Sequence, residues 1–327
     1  EAWDAAGLYQ VGSFSTDPRW AEWNGRYRDD LRMFMAGRDN TVTHLATRIA
    51  GSSDLYQPSN RSPLASINFI TSHDGFTLRD LVSFNKKHNT ANGEQNRDGD
   101  NHNLSWNSGY EGYNCPQDVE ILRWRRMKSF VFLLLTSQGV PMILGGDEFG
   151  RGQSGNNNSW CQDNEMSWHD WSLIKTNWGF HRFFKLCIQL RKRFRAFRRE
   201  EFFPSKDTDT VQQSAYGIKW QYLSPDEQNW NADCHGLAFL LGSSAESTDP
   251  DFFIMINGHP TKTLHFLPPE ATNLGKWHKI IDTALVSPED FCNQNNQRPQ
   301  KMGARVAVLP FTCVMLSSQV LNIEKSA

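Results

Sequence analysis

Residues 66–78 hold the densest chemistry in the chain: an apolar run, Ser66-Ile67-Asn68-Phe69-Ile70, breaks off at Thr71-Ser72-His73-Asp74-Gly75. The run reads as a short strand, and Thr77 is a residue type that starts helices, so His73 and Asp74 fall in a strand-to-helix turn. In sheets built from βα units the carboxyl ends of the strands face the ligand crevice, where a carboxylate can orient a substrate or stabilise developing charge. A second role fits the same turn equally well, because Asp before a helix also caps it. The pattern repeats at Val140-Pro141-Met142-Ile143-Leu144, which ends in Gly145-Gly146-Asp147-Glu148. No Lys follows that glycine pair in the manner of a phosphate-binding loop, which argues against a nucleotide site.

Two loops rich in side-chain amides accompany these strand ends. Residues 89–112 are crowded with Asn, Gly and Asp, and Gly155-Asn156-Asn157-Asn158 lies beyond the second strand. Amides both donate to and accept from hydroxyl groups, so a polyol ligand suits them, although Asn is also a common turn former. A loop as long as 89–112 within a domain is usually functional or disordered. Glu94, Asn96 and Asp98 followed by Gly99 have a faint calcium-loop spacing, but the twelfth position is Ser105, where a bidentate Glu is required. No metal site is expected there.

Helical periodicity places Tyr27, Leu31 and Phe34 on a helix that ends near Gly37. A longer helix opens at Pro116 and runs to about Ser137, and another spans Trp178 to Phe197. Helices alternating with strands that end in polar residues indicate a parallel α/β architecture. Past Pro204 the pattern changes to short apolar runs, Leu237–Leu241, Phe252–Ile256, Trp277–Ile281 and Ala304–Leu309, separated by Gly, Pro and Asn turns, which predicts a separate antiparallel β domain. The expected division is 1–203 and 204–327.

The 327 residues carry 34 basic and 36 acidic side chains, a formal charge of −2, which gives no general reason to expect nucleic acid or an anionic membrane as a partner. The Arg-rich stretch from Arg191 to Arg199 ends a helix, where cations are favoured in any case. Six scattered cysteines form no C-x-x-C pair, which points away from zinc and from a disulfide framework and toward a reducing compartment. Twelve Trp and 21 Phe offer flat faces suited to stacking on sugar rings, although most must serve the core.

Glu1-Ala2-Trp3-Asp4, Thr71 to Leu78, the Asn92-Gly93-Glu94 to Trp106 loop, Gly146 to Gly150 and Gly155 to Asn158 together resemble the isoamylase-type starch and glycogen debranching enzymes of the α-amylase superfamily. The likeness is strong over residues 1–197 and only general beyond them. It implies the C-terminal part of a (β/α)8 barrel followed by an antiparallel β-sandwich, and hydrolysis of α-1,6 branch linkages in glycogen- or amylopectin-type glucans with retention. By this resemblance Glu1 matches the general acid/base at the end of the fifth strand. Asp74 matches the seventh-strand residue that stabilises the oxocarbenium-like transition state, with His73 gripping the same sugar. Trp3, Asp147, Glu148, Asn156 and Asn157 are expected to line the substrate cleft.

The family's nucleophilic Asp lies upstream of the matching Glu, so the 327 residues are expected to be a C-terminal portion, inactive alone. No cofactor is implied. The compartment follows from the source, plastid stroma in a plant or alga and cytoplasm otherwise, and a homo- or hetero-oligomer with other isoamylase subunits is compatible. Two other functions stay open: a non-catalytic glucan-binding subunit of an isoamylase complex, and an α-1,4 glucan hydrolase or transferase on the same scaffold.

Overall fold

The computed structural model describes residues 1, 7–204, 217–221, 230–242, 249–271 and 276–323. Three short strands, β1 (Glu22–Trp23), β2 (Ser66–Asn68) and β3 (Val140–Pro141), form a parallel sheet in the order β1-β2-β3. Parallel neighbours need a crossover, and helices supply it. Between β1 and β2 lie α1 (Gly25–Met35), α2 (Val42–Ile49) and α3 (Ser53–Tyr56), and between β2 and β3 lie α4 (Leu78–Leu81) and α5 (Gln117–Thr136). After β3 come α6 (Leu173–Thr176) and α7 (Trp178–Arg193).

Local chemistry accounts for these boundaries. Asn24 starts α1 by accepting the Tyr27 N–H at 2.9 Å, and the expected Tyr27, Leu31 and Phe34 are its buried face. Pro116 precedes α5, and Asp118 and Glu120 occupy its first turn, where carboxylates oppose the positive helix end. β2 stops at Asn68 although the apolar run continues to Ile70, because the Ile70 carbonyl is taken by the buried Arg32 guanidinium of α1 at 2.6 and 2.9 Å. The last helix is shorter than its periodicity predicts: α7 ends at Arg193, and Phe194 and Phe197 turn aside to pack on Phe252, with ring centroids 5.1 and 4.9 Å away.

The C-terminal region contains a five-stranded antiparallel sheet, ordered β4-β5-β6-β10-β8, and a two-stranded ribbon, β7-β9. Its strands are β4 (Ile218–Gln221), β5 (Gly236–Leu241), β6 (Phe252–Asn257), β7 (Leu264–Phe266), β8 (His278–Asp282), β9 (Val306–Val308) and β10 (Thr312–Ser317). Four of them fall on the expected apolar runs. β10, between β6 and β8, was not among the expected runs, and like β5 and β6 it is buried on both faces.

One apolar core runs across the expected division. Leu237, Phe239, Ile254, Ile256 and Met315 on one face of the sheet share a cluster with Phe130, Phe183 and Phe184 of α5 and α7. The other face, with Ala238, Phe253, Met255 and Leu316, packs against Phe266, Val306, Val308 and Trp277. Asp290 strengthens the junction, its carboxylate lying 3.2 Å from Lys128 and 3.6 Å from Arg182. Among the described residues no helix is long and apolar enough to cross a membrane.

Candidate active site

The turn after β2 is shaped by its own backbone bonds. Ser72 Oγ donates to the Asp74 carbonyl at 3.1 Å, and Gly75 has φ +129°, a conformation L side chains rarely adopt. Thr77 caps α4 by accepting the Asp80 N–H at 3.1 Å. With the cap supplied by Thr77, the side chains of His73 and Asp74 are not needed there. They stand 65% and 64% exposed, with Nε2 and Oδ2 3.4 Å apart. His73 also meets the edge of Trp23 at the end of β1, the ring centroids 5.9 Å apart.

Glu1 joins this pair. Its carboxylate, a ring nitrogen of His73 and the Asp74 carboxylate all lie within 4.8 Å of one another. Two carboxylates this close can both reach one bound group. Trp3 lies outside the described residues.

Beside Asp74 opens a cleft of about 270 Å³, lined by Arg28, Ser72, Asp74, Gly75, Gly99, Asp100, Asn157 and Asn158. Four segments distant in sequence thus meet: the first turn of α1, the turn after β2, and the two amide-rich loops. Lys87 organises the longer loop by donating to the carbonyls of Arg97, Asp98 and Gly99 at 3.2, 2.7 and 2.8 Å. An ammonium therefore occupies the point on which these carbonyls converge. Gly99 is required where the loops touch, since a Cβ there would lie 2.3 Å from Asn157 Oδ1.

Of the remaining expected site residues, Asn156 and Asp147 are buried and do not line the cleft, Asn157 lines it although nearly buried, and Glu148 is half-buried. Asn156 is fully buried and donates to Asn92 Oδ1 at 2.8 Å. Asn157 is 2% exposed and donates to the Asp100 carbonyl and to Asn103 Oδ1, each at 2.8 Å, while its own Oδ1 accepts from Asn89. Asp147 is buried too: one carboxylate oxygen accepts the Leu78 N–H at 2.9 Å and the other accepts the Thr71 hydroxyl. It thereby ties down both ends of the turn that presents His73 and Asp74. Burial pushes its carboxyl up to about 7, against the lowering effect of the Thr71 and Leu78 bonds. Glu148 accepts its neighbour Gly146 N–H at 2.8 Å.

Sequence reasoning missed Arg28, Lys87 and Asp100. Arg28 adjoins Tyr27 on a helix whose apolar stripe drew attention, and nothing in the linear pattern sets Lys87 apart from its neighbour Lys86.

A parallel sheet with helical crossovers and carboxylates gathered at a strand end defines an α/β protein of amylase type, and comparison with solved structures agrees. The chain is similar to a pullulanase from Bacillus acidopullulyticus (TM-score 0.65, 19% identity, 97% of this chain and 32% of that one). It is also similar to pullulanase type I from Bacillus subtilis complexed with maltose (TM-score 0.67, 19% identity, 97% and 39%). No protein-family model matches. Among curated proteins the chain is 43% identical over 300 residues to a glycogen operon protein GlgX homolog of Mycobacterium tuberculosis, covering 86% of this chain and 41% of that protein. It is 39% identical over 291 residues to isoamylase 1, chloroplastic, of Oryza sativa (89% and 34%), and 42% identical over 295 residues to the glycogen debranching enzyme of Pectobacterium atrosepticum (88% and 43%). The chain belongs to the isoamylase-type debranching family of the α-amylase superfamily. It spans 34% to 43% of the length of these curated relatives.

Proposed function

We propose that the protein hydrolyses α-1,6 branch linkages in glycogen- or amylopectin-type glucans with retention of configuration. The observation that carries this reading is the meeting of Glu1, His73 and Asp74 within 4.8 Å, next to the cleft that Asp74 lines. In this reading Glu1, as the acid, protonates the glycosidic oxygen while a carboxylate outside these 327 residues attacks the anomeric carbon. Glu1 then takes a proton from the water that releases the sugar. Asp74 acts electrostatically on the oxocarbenium-like charge, and His73 holds the same ring. Asp147, Asn156 and Asn157 are assigned to shaping the cleft, and Glu148 and Trp3 keep the substrate-binding role that the resemblance implies.

The finer architecture belongs to the same proposal. Residues 1–203 are read as part of a (β/α)8 barrel and 204–327 as a β-sandwich, supported by the parallel β1-β2-β3 order and by the two layers formed by the five-stranded sheet and the β7-β9 ribbon. The plastid stroma is assigned for a plant or algal source, by analogy with the chloroplastic relative.

The test is Asp74→Asn in the full-length enzyme, assayed on amylopectin. A side chain that acts on transition-state charge should lower kcat by at least about 100-fold with little change in KM. Near-normal kcat would remove Asp74 from the chemistry.

A further inference from the structure

Arg28 is the one cation among the described residues that line the cleft, facing the same space as Asp74 and Asp100. It projects from the first turn of α1 and is held from two sides. Its Nε donates to Asp29 Oδ1 at 2.6 Å, and its guanidinium carbon sits 5.7 Å from the centre of the Phe69 ring. Only 21% of the side chain is exposed, so it is fixed in the wall and does not sweep through solvent. Neither terminal nitrogen has a hydrogen-bond partner among the described residues, although two carboxylates border the same cleft. The positive charge is well supported: burial alone would lower its affinity for a proton, but the bond to Asp29 and the charges of Asp29, Tyr9 and Asp100 raise it.

A planar guanidinium anchored through Nε presents its remaining N–H groups as a rigid fork. Such a fork matches two acceptor oxygens side by side, and adjacent equatorial hydroxyls of a glucose unit supply that spacing. Because Asp29 and Phe69 already fix the group, little rotamer freedom is lost when a ligand binds.

We infer that Arg28 is a sugar-binding residue of this cleft, its terminal nitrogens donating to two neighbouring hydroxyls of one glucosyl unit bound there. The inference rests on the glucan reading above and adds to it a residue and a contact. It also assigns Asp29 a positioning role, since Asp29 orients the fork without touching the sugar.

Binding of maltoheptaose to the full-length enzyme, followed by calorimetry on the Glu1→Gln background to prevent turnover, tests it. Arg28→Ala should weaken binding by about 10-fold or more, the scale for losing hydrogen bonds to a charged donor. Arg28→Lys, which keeps the charge but not the fork, should recover only part of that loss, and Asp29→Asn should fall between Arg28→Lys and wild type. Thermal melting of all three variants checks folding. Wild-type affinity in Arg28→Ala overturns the assignment, and full recovery in Arg28→Lys overturns the two-point contact. A melting temperature that falls in step with affinity across the three variants assigns Arg28 to the fold and overturns it as well. Failure of the Glu1→Gln protein itself to bind maltoheptaose defeats the glucan reading as a whole. A normal Asp74→Asn phenotype with a defective Arg28→Ala leaves this inference standing while removing Asp74's role.

Discussion

Asn89 and Asn157 bond each other twice: Asn89 Nδ2 donates to Asn157 Oδ1 at 2.8 Å, and the Asn157 backbone N–H donates to Asn89 Oδ1 at 3.0 Å. Both residues are buried, so the pair is a strut between the two amide-rich loops that wall the cleft. The composition that suggests a polyol ligand is thus used largely on the protein itself, and the charged groups on the cleft surface are Arg28, Asp74 and Asp100.

Asn157→Ala should destabilise the fold markedly, because it leaves Asn89 Nδ2 only the Asp98 carbonyl and removes the donor to the Asp100 carbonyl and to Asn103 Oδ1. Each buried group left unpaired costs roughly 1–3 kcal/mol. Urea denaturation of the variant should show a loss of at least that size, and a change under about 0.5 kcal/mol would mean that water replaces the strut without penalty.

Lys87→Met should loosen the long loop while leaving the core intact, since it empties the point on which three carbonyls converge. Hydrogen exchange should accelerate across residues 89–103 and remain slow in α5. Added calcium should not restore protection. Restoration by calcium would mean that the loop carbonyls form a genuine metal-binding set.

The contribution of Asp147 and Asp80 to stability should fall as pH rises from about 4 to about 7. Burial raises Asp147 to about 7 and Asp80 to about 6 from an ordinary value of 3.8, despite hydrogen bonds that lower both. Between those limits the folded state binds more protons than the unfolded one, so deprotonation favours unfolding. Calorimetric melting of Asp147→Asn between pH 4.5 and 7.5 should show a slope of stability against pH more positive than that of wild type, other groups cancelling in the difference. Parallel curves would place the ionisation of Asp147 well below this range.

The repeating alternation of helix and polar-ended strand was legible because amphipathic helices and abrupt strand ends are local patterns. His73, Asp74, the α5 boundaries and four of the C-terminal strands were found that way. Other features depend on partners distant in sequence. Arg32 ends β2 by capturing the Ile70 carbonyl, and Phe252 draws Phe194 out of α7. Asp147 is indistinguishable in sequence from an exposed strand-end carboxylate, and only its contacts with Thr71 and Leu78 reveal a buried strut. The approach of Glu1 to Asp74 has no local signal at all, and only resemblance to a family anticipated it.

Asp100 provides the clearest test of how the long loop would serve the proposed glucan hydrolysis. It lines the same cleft as Asp74 from the long loop, its Oδ1 accepts the His102 N–H at 2.7 Å, and its carbonyl is held by Asn157, so its carboxylate is fixed but half exposed. A contact from this loop would reach parts of a glucan away from the cleaved bond. Binding energy from such remote parts can be directed into orienting the reacting linkage. Asp100→Ala should therefore lower kcat/KM on branched glucan by about 10-fold while leaving a small activated glucoside, too short to reach the loop, within about twofold of wild type. Both substrates should behave the same with and without a chelator. Equal losses on the two substrates would deny the loop a role in selecting branch points, and a chelator reproducing the Asp100→Ala defect in the wild type would put a metal ion, not a sugar, against this carboxylate.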